Sequence, residues 1–146
     1  MAIPSALDTL IELASKETDE AAKRLGHAIR NGEDAEQKLQ LLLQYRDDYM
    51  ERFQSALRAG LSASGYRNFQ LFLDKLDEAI KGQQRVLQDA QRRVSKERGS
   101  WQNCERKRMS YDTLAARALN AHQLKEARRE QKTTDEFAAR QLFYKR

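Results

Sequence analysis

One proline, one cysteine, one tryptophan and two histidines are all that this 146-residue chain carries of those types. Pro4 stands at the extreme start, so no proline blocks a helix anywhere further on. A lone Cys104 excludes an internal disulfide, and its place on an apolar stripe suits a small buried side chain better than a reactive thiol. No apolar stretch approaches the ~20 residues that cross a bilayer. The N-terminus lacks the basic and hydrophobic regions of a signal peptide. Together these absences predict a cytoplasmic chain. His27 and His122 are far apart and belong to no ligand cluster, and no phosphate-binding glycine loop, G-x-S-x-G or H-E-x-x-H motif occurs. No catalytic, cofactor-binding or metal-binding residue is expected, and an enzyme is not.

What the chain does have is periodicity. Spacings of three and four run from Leu7 through Ile11, Leu25 and Leu42 to Ala56, with twelve of fifteen positions apolar. A second run goes from Leu73 through Leu76, Ile80, Leu87, Val94 and Trp101 to His122, with eleven of fifteen apolar. A period of 3.5 residues held this long predicts two helices, each burying one narrow seam. With a single break between them, the expected fold is all-α, an antiparallel coiled-coil hairpin over residues 1–146.

Helix 1 is expected over about 5–57, opened by Ser5 as cap with Asp8 three residues on as its capping-box partner. The turn is expected at about 58–66. There Gly60 can end helix 1 in a left-handed conformation, and Ser62 or Ser64 can cap the second helix. Helix 2 is expected over about 67–126 and outruns helix 1. The basic tail, 127–146, has lost its seam partner, and disorder is the expectation for it.

Size complementarity favours a register in which paired residue numbers sum to 129. That sets Ala28 against Trp101 and Ala35 against Val94, and it groups the polar exceptions: Arg46 with Gln83, Gly32 with Glu97, Thr18 with Tyr111. The one-heptad slip, a sum of 122, sets Arg46 against Leu76 and Glu97 against Leu25, with a tighter turn.

Charge is uneven. Residues 1–60 hold 8 basic against 11 acidic side chains, and residues 61–146 hold 19 against 11. The simpler reading is mutual attraction of the two helices. The functional reading is a basic surface for an acidic partner, nucleic acid or anionic lipid. A basic arm binding nucleic acid is the alternative function, weakened because aromatics are not interleaved with the basic residues. Helix 2 also opens with surplus apolar side chains: Phe69, Phe72, Ala79 and Val86 read as lying off the seam. With Leu76 and Gln83 they make a face suited to a partner helix, and Leu41, Leu43 and Tyr45 lie level with it on helix 1.

Four segments carry a family resemblance. Gln131–Ala138 (QKTTDEFA) resembles the QK-x-x-DEFA signature of the FliJ family, and Ala6–Leu10 resembles its opening AL-x-TL. Leu39–Tyr49 resembles its L-x-x-L-x-x-Y-x-x-x-Y segment, and Asn68–Phe72 its N-aromatic-Q-x-F segment. The resemblance implies a soluble coiled-coil component of flagellar type III protein export, similar to the stalk (gamma) subunit of rotary ATPases. It implies association with the hexameric export ATPase, the membrane export gate protein and export chaperones, at the inner face of the cell membrane. Carried over by position, gate contact falls on Phe72, Leu76, Ala79 and Gln83, the last where the family often has His. Leu42, Tyr45 and Tyr49 match family positions without an assigned role. For ATPase contact the expected residues are Leu7, Ile11, Leu25, Lys132, Asp135, Glu136 and Phe137.

Overall fold

Ser5 starts the first helix by a reciprocal cap. Its backbone N–H donates to the Asp8 carboxylate at 3.1 Å, and the Asp8 N–H donates to the Ser5 hydroxyl at 3.2 Å. From there the computed structural model, which describes residues 5–145, holds two helices: α1 over Ala6–Ala59 and α2 over Ala63–Tyr144. They pack as an antiparallel coiled-coil hairpin, and no strand occurs among the described residues.

Only Gly60, Leu61 and Ser62 separate the helices. Gly60 takes a φ of 95°, the left-handed conformation that ends α1 at low steric cost. Ser62, the nearer of the two candidate caps, accepts the Gly65 N–H at 3.1 Å and so starts α2 early. Leu61 then folds back over the first turn of α2, and a Cβ on Gly65 would lie 2.9 Å from its Cδ1. Alanine at position 65 would therefore need the end of the Leu61 side chain to shift.

The short turn decides the register, and it corrects the expected one. Ala59 and Ala63 flank the turn, so the pairing is centred on a sum of 122. Contacts further up agree. Arg46 pairs with Asp77 at 2.6 Å instead of with Gln83, and Gln83 donates its amide to the Ala35 carbonyl at 3.0 Å. Glu97 lies 3.5 Å from Arg24, not against Gly32. Ala28 therefore sits level with Val94, not Trp101. Arg46, Gln83 and Glu97 each find a partner slightly off the layer, which removes the penalty that had argued against the slip. The inter-helix ion pairs run in both directions: Arg24 and Arg46 put the base on α1, whereas Lys107 on α2 faces Glu17 on α1, as attraction of an acidic first helix to a basic second one expects.

The chain divides into two compact units. One joins residues 19–59 of α1 to 63–102 of α2. Its seam buries Ala21, Ala28, Ala35, Leu39 and Phe53 of α1 with Leu73, Leu76 and Ile80 of α2. Phe69 belongs to this seam too, contrary to its assignment off the stripe: its ring centroid lies 5.2 Å from that of Phe53. Stepping the heptad back from Leu73 by four and then three residues passes through Phe69 and Tyr66. Gly32 admits no bulky partner, because a methyl there would meet Val94 at an ordinary 3.8 Å.

The other unit joins the start of α1, through Thr18, to α2 from Asn103 onward. Ala14 and Thr18 are buried in it, and Leu7, Ile11, Cys104, Tyr111 and Ala115 are half-buried. Thr18 needs no partner across the seam, since its hydroxyl donates to the Ala14 carbonyl at 2.8 Å. Every described residue beyond Ala115 is exposed, yet α2 continues to Tyr144 where the sequence leads one to expect a disordered tail. There the helix propagates from a formed one, which needs no new nucleus. Local pairs such as His122 with Glu126 at 3.2 Å and Gln131 with Asp135 at 3.3 Å add support.

Candidate partner-binding face

Near the turn, α1 contributes Tyr45, Tyr49 and Phe53, and α2 contributes Tyr66, Phe69 and Phe72. The six rings form one continuous cluster. Tyr49 touches Phe69 at 5.1 Å and Phe72 at 4.5 Å between centroids, and Phe53 touches Tyr66 at 5.6 Å. Tyr45 meets the far side of Phe72 edge-on at 6.1 Å. Phe72, read from the sequence as lying off the seam on an open face, is therefore half-buried instead, with its ring packed on tyrosines. The reason is the register: Phe72 flanks the seam on the same side as Tyr45 and reaches across to it.

Beyond Phe72 this side of the hairpin stays apolar and open. Leu41, Tyr45 and Val86 are 66%, 47% and 52% exposed. A shallow groove runs between the helices here, lined by Lys38, Leu41, Leu42, Tyr45 and Gln83. Ala79 is exposed on the same row, and beside it Gly82 presents bare helix, with nothing within 4 Å of where a Cβ would stand. Leu43 is half-buried on the opposite flank and takes no part.

The four gate-contact candidates thus separate. Ala79 and one edge of Phe72 are accessible. Leu76 is buried, 7% exposed, and Gln83 is half-buried with its amide committed to Ala35. The latter two hold the helices together under the face. Leu41, Leu42, Tyr45 and Val86, noted in the sequence but not chosen as gate contacts, join it. Gly82 had no sequence signal, since a helical glycine on an outer position looks the same whatever surrounds it.

The candidates for ATPase contact also divide. Leu7, Ile11 and Leu25 are half-buried seam residues. Lys132, Asp135, Glu136 and Phe137 are exposed on the terminal stretch of α2, Phe137 by 62%. In the unit that holds both helix ends, ion pairs form within α2 and across to α1. Glu105 bonds Arg108, which holds its carboxyl below the usual range, and Lys107 lies 3.8 Å from Glu17. Arg46 in the other unit is held even more firmly protonated, first by its hydrogen bond to Asp77 and then by that carboxylate's charge. Among the described residues no three acidic, histidine or cysteine side chains are grouped to hold a metal, and no helix is long and apolar enough to cross a membrane.

A family profile described as "Flagellar FliJ protein" matches residues 4–146. The flagellar FliJ protein of Escherichia coli (strain K12) is 34% identical over 140 residues, covering 96% of this chain and 95% of the relative. The flagellar FliJ protein of Salmonella typhi matches with the same identity and coverage.

Proposed function

The chain belongs to the flagellar FliJ family, and from that premise we propose that it is a non-enzymatic component of flagellar type III protein export. In this reading the hairpin associates with the hexameric export ATPase, promotes its assembly and activity, and links it to the membrane export gate and to export chaperones. It acts in the cytoplasm, at the inner face of the membrane.

The observation that carries the gate contact is the open apolar face of Phe72, Ala79, Leu41, Tyr45 and Val86. A protein that folds through one narrow seam gains nothing in stability from leaving such side chains in water, so a partner is the economical reason for the face. Leu76 and Gln83 contribute beneath it, by fixing the spacing of the helices. On the ATPase, the exposed Lys132, Asp135, Glu136 and Phe137 make the first contacts, and Leu7, Ile11 and Leu25 stiffen the hairpin. A ligand that binds only the assembled hexamer shifts subunits toward it and raises hydrolysis without touching a catalytic residue.

Binding of the purified chain to the cytoplasmic part of the gate protein tests the reading. Leu41→Asp and Val86→Asp should each weaken it at least tenfold while leaving helicity unchanged. Full binding by both variants would remove the gate from this face.

A further inference from the structure

Along the middle of α2, Lys81, Arg85, Arg92 and Lys96 fall on outer positions of the heptad, facing away from α1, and all four are exposed. They make a single row about 22 Å long at 1.5 Å per residue. The only acid between residues 81 and 96 is Asp89, whose contact with Arg92 is 3.6 Å between side chains 76% and 79% exposed. Such a pair is largely screened. Lys81, Arg85 and Lys96 have no hydrogen-bond or ion-pair partner among the described residues. The two inter-helix ion pairs of this unit neutralise Glu97 and Asp77 on α2, leaving the basic surplus of that helix uncovered.

We propose that this row docks on the anionic headgroups of a phospholipid bilayer. Its shape decides among anionic partners. The row is straight, convex and one side chain wide, so a flat negative surface meets all four cations at once without a matching contour. A nucleic-acid strand would need a groove to lie in and aromatic rings to stack on, and no aromatic residue occurs between positions 81 and 96. An acidic protein would need anions spaced to match. Attachment of this kind accumulates cation by cation and is screened by salt, giving a reversible hold on a membrane that no described helix crosses. It rests on different residues from the apolar face and does not depend on the export reading.

The full-length chain should co-sediment with vesicles containing phosphatidylglycerol and not with vesicles of phosphatidylcholine alone. Raising sodium chloride to about 0.5 M should release it, since the Debye length then falls well below the spacing of the row. The double variant Arg85→Glu, Arg92→Glu should bind at least tenfold more weakly, with circular dichroism and melting temperature unchanged because both positions face solvent. Failure of the wild-type chain to bind the anionic vesicles overturns the proposal, as does equal binding by the variant. Retention of RNA in a gel by a chain that ignores the vesicles would assign the row to nucleic acid instead.

Discussion

The ring of Phe72 lies on that of Tyr49, 4.5 Å between centroids and tilted by 44°, while Tyr45 closes on it edge-first. One aromatic side chain thus takes part in both the packing near the turn and the open face beyond it. Phe72 forms a margin of the seam, and its two roles separate only by measurement.

Phe72→Ala should accordingly cost some stability, roughly 1–2 kcal/mol, below the ~3–5 kcal/mol of a fully buried phenylalanine. Chemical denaturation of the variant gives the figure. Loss of gate binding with a cost in that range fits the double role. A cost near the upper value would make Phe72 a core residue whose effect on binding is indirect.

Two glycines should respond to alanine in opposite directions. Gly60 has a φ of 95°, where a Cβ is strained, so Gly60→Ala should destabilise by about 1 kcal/mol or more. Gly82 lies in an exposed helical turn with open space around it, so Gly82→Ala should stabilise by up to about 1 kcal/mol. Thermal melts of the two variants provide the comparison. Equal signs would mean that the turn conformation or the openness around Gly82 is misassigned.

Acid should weaken the hairpin in part through Glu105. Its carboxyl is held below the ordinary value of 4.5 by the hydrogen bond from Arg108. A carboxylate depressed in the folded state contributes stability above its unfolded pKa and loses it as pH falls through the folded one. The contribution is therefore present at neutral pH and fades below about pH 4.5. Melting temperatures between pH 6 and pH 3, both about 1.5 units from that value, should fall less steeply for Glu105→Gln than for the wild type.

Most of the fold was legible in the sequence, because a seam of period 3.5 and a capping box are local patterns. Ser5, Asp8 and Gly60 each do what their residue type and position imply. Register was not legible by the same route. Small-against-large matching of Ala28 with Trp101 scored alternatives that differ by a whole heptad, and a heptad slip preserves the apolar pattern. The choice between Ser62 and Ser64 as cap settled it, through one hydrogen bond to Gly65. The candidate face was half legible: Phe72, Ala79 and Val86 stood out by spacing. Periodicity placed Leu76 on the seam, where it is buried, but could not tell that Gln83 spends its amide on the Ala35 carbonyl.

Cross-linking provides a direct test of that register. With numbers pairing to 122, Ala28 lies across from Val94, and both sit on the seam of one compact unit. In a Cys104→Ser background, Ala28→Cys with Val94→Cys should oxidise readily to an intramolecular disulfide, since facing seam positions bring Cα atoms near the roughly 5.5–6 Å that the bond prefers. Ala28→Cys with Trp101→Cys is displaced by seven residues, about 10 Å along the helix axis, and should stay reduced. Because the turn is only Gly60–Ser62, closing the wrong pair would require pulling residues out of α1 or α2 to lengthen it. Preferential oxidation of the Ala28/Trp101 pair would restore the looser turn and overturn the pairing on which Phe72 meets Tyr45.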